Sequence, residues 1–288
     1  MDENRREQKP SRFPGVGEAY LAMGEEARAR AEAALEKKEA EQQAEKEPVR
    51  KIGIGAVLES SAGVFAKNPL PYLVFALLAG TPKIVMPLLW GSSRTVEILA
   101  SILAFVLQIL FLGAITHSVY QDLTGKRGRI AESAMRGLSR FFSLLGTVLL
   151  FGLLLLLMLL PMIILPSIAV FLVIILFAYA YCCLVVAVPA CVVERLGPMA
   201  SLDRSAVLTK GNRWSVFGLL FLLWLAAAAV GYLVAMILPD ASRSETVVGT
   251  VVRTVFEAFK DIVAAALYYH LRSAREGVDI DKLVTVFD

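Results

Sequence analysis

The stretch RFFSLLGTVLLFGLLLLLMLL, Arg140 to Leu160, decides the fold. One cation is followed by twenty residues without a charge. As a helix such a run reaches about 30 Å, the thickness of a bilayer's hydrocarbon core. The pattern recurs through the chain. Lys67, Arg140 and Arg213 stand 73 residues apart, each running into long apolar sequence, and the aromatics Phe141 and Trp214 follow the second and third.

Working outward, the apolar runs predict spans near 69–90, 96–120, 141–160, 164–192, 214–238 and 247–270. The fourth is longer than a crossing needs and has room to tilt. Each hairpin is preceded by a short amphipathic stretch. The first contains Ile54, Val57, Phe65 and Lys67, and the second Ile130, Ala134, Leu138 and Arg140. The third opens at Pro198, a favoured first helical position, with Met199, Leu202, Ala206 and Arg213. Apolar residues on one side and cations on the other suit a helix lying in the membrane interface. A helix that caps the bundle fits equally well. The expected fold is all-α: a six-span transmembrane helical bundle built from three repeats of interfacial helix plus transmembrane hairpin. The repeats lie near 51–123, 124–196 and 197–288, after a separate segment at 1–50.

Composition agrees. The chain is 57% hydrophobic with a mean hydropathy of +0.65, whereas soluble domains are about half apolar or less. The net charge of +3 hides a division. Residues 1–50 carry 12 acids and 10 bases, and the remainder carries 14 acids and 19 bases. No aromatic-laced basic domain accompanies the cations, so no nucleic-acid partner is expected. Met1-Asp-Glu-Asn-Arg-Arg lacks the apolar core of a secretory signal. Cys182, Cys183 and Cys191 read as small, reduced packing residues rather than a disulfide framework or a zinc site.

Residues 1–14 read as disordered, and 17–47 as a solvated, charged helix ending before Pro48. Val16, Tyr20 and Met23 form a short apolar stripe that would dock on a protein partner or on the protein itself. Basic loops between spans two and three, between four and five, and after span six place both termini in the cytoplasm. The expected location is the bacterial inner membrane.

Two stretches carry a resemblance. Glu194-Arg-Leu-Gly-Pro-Met-Ala-Ser-Leu-Asp-Arg-Ser-Ala-Val-Leu-Thr-Lys-Gly-Asn-Arg-Trp, followed by an apolar span, and Leu267-Tyr-Tyr-His-Leu-Arg-Ser-Ala-Arg-Glu-Gly-Val-Asp-Ile-Asp resemble the bacterial glycerophosphoryl diester phosphodiesterase membrane-domain family. The resemblance covers 50–288 in layout and 189–216 and 266–288 in motif. It implies a multi-pass membrane module alone. The soluble phosphodiesterase fused to some members opens on a His-Arg motif, and neither His117 nor His270 precedes an arginine.

Four ionisable residues interrupt the sixth span: Arg253, Glu257, Lys260 and Asp261. Each costs about 2.5–3.5 kcal/mol at a helix centre, so they must face the bundle interior and pair, or lie at an interface. They form a candidate intramembrane polar site, or else an internal pair of Glu257 with Lys260 or Arg253. Pro82 and Pro87 are expected to break the first span, with Lys83 snorkelling toward the outer face. His117 and His270 should hydrogen-bond at the interface. Lys67, Arg136, Arg140, Lys210 and Arg213 are candidate contacts for anionic membrane lipids, or plain topology determinants.

The sequence has no nucleophile elbow, phosphate loop or metal-ligand cluster, so no enzyme activity and no cofactor is expected. A non-enzymatic membrane protein that interacts with lipid and supports membrane organisation comes first. A transporter or lipid translocator using the sixth span is the second reading. An anchor recruiting a partner through residues 15–47 is the third.

Overall fold

The structure, a computed structural model, describes residues 50–91, 93–125, 130–160, 167–237 and 243–276. The segment expected before residue 50, the loops at 126–129, 161–166 and 238–242, and the chain after 276 lie outside the described residues. Ten helices and no strand occur among the described residues. They are α1 (Ile54–Lys67), α2 (Pro69–Trp90), α3 (Arg94–Leu123), α4 (Ile130–Ser139) and α5 (Phe141–Leu159). Then come α6 (Ser167–Leu184), α7 (Ala187–Val193), α8 (Pro198–Thr209), α9 (Arg213–Ile237) and α10 (Arg243–Glu276).

Among the described residues five segments are long and apolar enough to cross a membrane: α2, α3, α5, Val173–Val193 and α9. The protein is thus built of several membrane-spanning helices. The sixth expected span falls inside α10, which is too charged to count among them. Its burial compensates. Ala258, Ile262, Val263, Ala265, Ala266, Leu267, Tyr268 and Leu271 are all buried, and α10 packs on α1, α2 and α3 and also touches α7, α8 and α9. By contrast, α5 and α9 leave Leu153, Leu156, Leu222, Leu225 and Ile237 exposed. Apolar side chains are at no disadvantage against lipid tails, whereas a helix carrying charge must be enclosed.

The fourth run is not one continuous helix. It breaks at Val185–Val186, between α6 and α7. Pro189 supplies the cause, because it has no N–H to give the Val185 carbonyl and its ring crowds that oxygen. The Cys183 carbonyl at the break accepts instead from the Ser205 hydroxyl at 2.8 Å, and Thr209 approaches it at 3.4 Å. Side chains from a neighbouring helix commonly re-satisfy backbone freed in this way inside a membrane.

The first run departs from expectation in the opposite direction. α2 continues through Pro82 and Pro87 to Trp90. Pro82 is buried, and the Thr81 hydroxyl bonds the Leu77 carbonyl at 2.7 Å, next to the backbone bond that Pro82 removes.

The short helices α1, α4 and α8 precede the long ones in the expected places. Their inner faces include small residues, Ser61 in α1, Ser133 and Gly137 in α4, Ser201 and Ser205 in α8, beside Val57, Val64, Leu202 and Leu208. Small residues let helix backbones approach closely. A Cβ on Gly137 would stand 2.6 Å from the Leu110 carbonyl oxygen, and one on Gly113 would stand 3.1 Å from the Gly137 Cα. Leu138 and Met199, part of the expected apolar stripes, are exposed on the outer side, as is Met135.

Candidate functional site

The charged residues of α10 line cavities inside the bundle. Gly80 of α2 packs so closely on α10 that a Cβ there would meet the Thr254 hydroxyl at 2.8 Å. Next to this contact a cavity of about 330 Å³ opens between α2, α3 and α10. Its polar lining is Lys83, Gln108, Thr250, Arg253, Thr254, Glu257 and Asp261. A second cavity, of about 430 Å³, lies between α3, α5, α9, α10 and the α6–α7 break. It is lined by Val148, Phe151, Leu219, Leu223 and Trp224, with Thr116, Tyr181, Lys260 and Asp261 as polar groups. Leu112 and Asp261 line both cavities.

Within this site the Lys260 ammonium meets the Glu257 carboxylate at 2.5 Å, the i to i+3 pair expected of one helix face. Arg253 is exposed. Among the described residues no hydrogen bond or ion pair reaches Asp261. The Thr116 hydroxyl is buried and likewise has no partner. Asp261 lies 11 residues from Arg272, about 16 Å along α10.

The other candidate residues lie where α2, α5 and α9 begin. Lys67 ends α1 and is exposed, and Arg140 caps the start of α5. Arg136 pairs with Glu132 at 3.5 Å. The Lys210 carbonyl accepts from Arg275 at 3.4 Å. The Arg213 guanidinium lies over the Tyr179 ring, 4.8 Å from its centroid, and donates to the Tyr179 hydroxyl. The contacts differ from copy to copy. Phe142 and Trp214, beside Arg140 and Arg213, are more than four-fifths exposed.

A network not foreseen from the sequence joins the two stretches that carried the resemblance. Arg204 Nε donates to both Glu194 carboxylate oxygens at 2.8 Å, and the Tyr268 hydroxyl donates to the same carboxylate at 2.7 Å. Arg204 also pairs with Glu276, which accepts from Arg272 Nε at 2.7 Å. Arg272 reaches the Tyr120 hydroxyl at 3.3 Å. Burial opposes ionisation of Glu276, but the bonds from Arg272 and Arg204 outweigh it and hold the carboxyl below the usual glutamate range. For Arg204 burial likewise opposes charge, and the bonds to Glu194 and Glu276 prevail, raising its already high pKa. An acid closing an apolar run, as Glu194 does, was the available signal.

At this same end the Tyr72 hydroxyl donates to Asp122 at 2.8 Å. His270 and Ser60 lie 2.9 Å apart, and His117 and Ser133 3.4 Å apart, tying α10 to α1 and α3 to α4. Asn212, nearly fully buried, accepts from the Ile52 N–H at 3.1 Å and donates to the Arg50 carbonyl at 3.2 Å. The three cysteines are free and buried. Compared with family models, curated proteins and solved structures, the chain matches none.

Proposed function

We propose that this is a non-enzymatic integral membrane protein, a transporter or translocator that takes a polar group into the interior of its bundle. The observation that carries this reading is the cavity lined by Glu257 and Asp261 between α2, α3 and α10. A purely structural ion pair would close upon itself. Here the Glu257–Lys260 pair leaves Asp261 lining two open cavities. In this reading α10 is the sixth span, enclosed by the other five, and the three helix-plus-hairpin units are repeats. The end rich in Arg and Lys faces the cytoplasm of a bacterial inner membrane, which follows from the excess of basic residues there.

Lipid organisation stays as a second reading on a separate observation. Exposed Phe142 and Trp214 flank Arg140 and Arg213, the aromatic-plus-cation pattern of an anchor at anionic headgroups. Recruitment of a protein partner through residues 15–47 lies outside the described residues.

The test of interior access is thiol labelling. With Cys182, Cys183 and Cys191 replaced by alanine, Thr254→Cys is expected to react with a charged, membrane-impermeant thiol reagent. Leu222→Cys, on the lipid-facing side of α9, is expected not to react. If neither position reacts from either side of the membrane, the interior site is closed to polar solutes and the reading fails.

A further inference from the structure

The two cavities differ in character and meet at one carboxylate. One is polar, with Gln108, Thr254 and Glu257 in its lining and the cations Lys83 and Arg253 on its wall. The other is apolar over most of its wall, from Val148 and Phe151 to Leu219 and Leu223. Asp261 and Leu112 stand at the junction. A site of this form matches an amphiphile, which needs a polar chamber for its head and an apolar one for its chain.

The charge required at the junction can be read from what is already paired. Lys260 is held by Glu257. Asp261, half-buried, has no such partner among the described residues, and carboxylates withdrawn from water are normally paired or hydrogen-bonded. Thr116, 1% exposed, lines the apolar cavity with an unpartnered hydroxyl. Asp261 and Thr116 line the same cavity, with Lys260 held by Glu257, and a carboxylate with a hydroxyl acceptor suits an ammonium donor. The route in is lateral. Trp224 lines the apolar cavity and is 65% exposed on α9, so the mouth opens on the side that faces lipid.

We propose that the paired cavities bind an amphiphile with an amine head, its ammonium on Asp261 beside Thr116 and its chain in the apolar cavity toward Trp224. This rests on the reading of an open interior site and names its ligand class. Two sources share this chemistry, an ethanolamine phospholipid and a free long-chain amine.

The test uses the full chain in phosphatidylcholine nanodiscs, with dodecylamine as the probe and dodecanol and dodecanoate as controls of equal chain length. Dodecylamine is expected to bind at least tenfold more tightly than either control. Asp261→Asn is expected to remove that preference and leave dodecanol binding unchanged. Ala264→Phe, which fills the apolar cavity and alters no charge, is expected to weaken dodecylamine binding and keeps the test open should Asp261→Asn not fold. Competition by dihexanoyl phosphatidylethanolamine would identify a membrane lipid as the source, and its absence a free amphiphile. Equal binding of dodecylamine and dodecanol, or an undiminished preference in the variants, overturns the proposal. Labelling of Thr254→Cys on the same protein separates the two failures. A labelled cysteine without amine preference sinks only the amphiphile, and an unlabelled one sinks the interior site as well.

Discussion

Arg204 of α8 holds both oxygens of the Glu194 carboxylate, which closes α7, at 2.8 Å. The pair joins helices on either side of the Gly197–Pro198 turn, and through Glu276 it draws in the end of α10. Both side chains are at least three-quarters buried, so the pair is shielded from the screening that weakens exposed ion pairs. Replacing Arg204 by alanine leaves Glu194 and Glu276 without their shared cation. The expected loss is about 2 kcal/mol, the upper part of the range for hydrogen bonds to charged groups. Thermal melting of the purified protein checks this, and an unchanged midpoint would show the network to be ornamental.

The same network sets an acid limit. Glu276 titrates lower in the fold than in the unfolded chain. Its contribution is therefore complete above the ordinary glutamate range, about pH 4.3, and is lost as pH falls through the lower folded value. Arg204 and Arg272 stay charged throughout. Wild type and Glu276→Gln are expected to differ in melting temperature at pH 7 and to converge toward pH 3. A gap that does not change with pH would contradict this.

Gly137 and Gly113 bring the backbones of α3 and α4 together. Alanine at 137 must push against the Leu110 carbonyl, 2.6 Å from the new Cβ, and this oxygen cannot rotate away. The expected cost is about 1–3 kcal/mol, as for overpacking in a filled core. Gly152 is the control, because a Cβ there meets nothing within 4 Å. Alanine at 152 should leave the melting temperature unchanged or raise it.

Ser205 satisfies the Cys183 carbonyl at the break that Pro189 imposes. Ser205→Val leaves that carbonyl only the longer approach from Thr209, at 3.4 Å. About 1–3 kcal/mol of destabilisation is expected, the cost of a buried polar group losing its partner. Pro189→Ala lets the Val185 carbonyl regain its donor, a separate gain expected to offset part of the loss at Cys183 in the double variant. Melting of both variants decides the point.

Much of the fold was legible because membrane spans are written in simple terms. Twenty uncharged residues after Arg140 leave few alternatives to a crossing helix. Helix starts at Ile54, Ile130 and Pro198 were equally plain, from amphipathic periodicity and the proline. Both exceptions lie at prolines. Pro82 and Pro87 did not break α2, and Pro189 did interrupt the fourth run, where Ser205, a partner from distant sequence, bonds the Cys183 carbonyl beside the break. The charges of α10 pointed to the bundle interior, and Glu257 with Lys260 was legible as an i to i+3 pair. Thr116 and the shared position of Asp261 were not legible, since they depend on how α3 and α9 pack around α10. The Glu194–Arg204–Glu276 cluster was hidden for the same reason.

The interior site is tested most directly by a density map of the protein in discs of its native membrane lipid. The expected result is ordered non-protein density within the cavity beside Glu257 and Asp261, continuing past Leu112 into the apolar cavity. A closed, dry cluster there, with lipid headgroups gathered at Arg140 and Arg213 instead, would contradict the transport reading and favour lipid organisation.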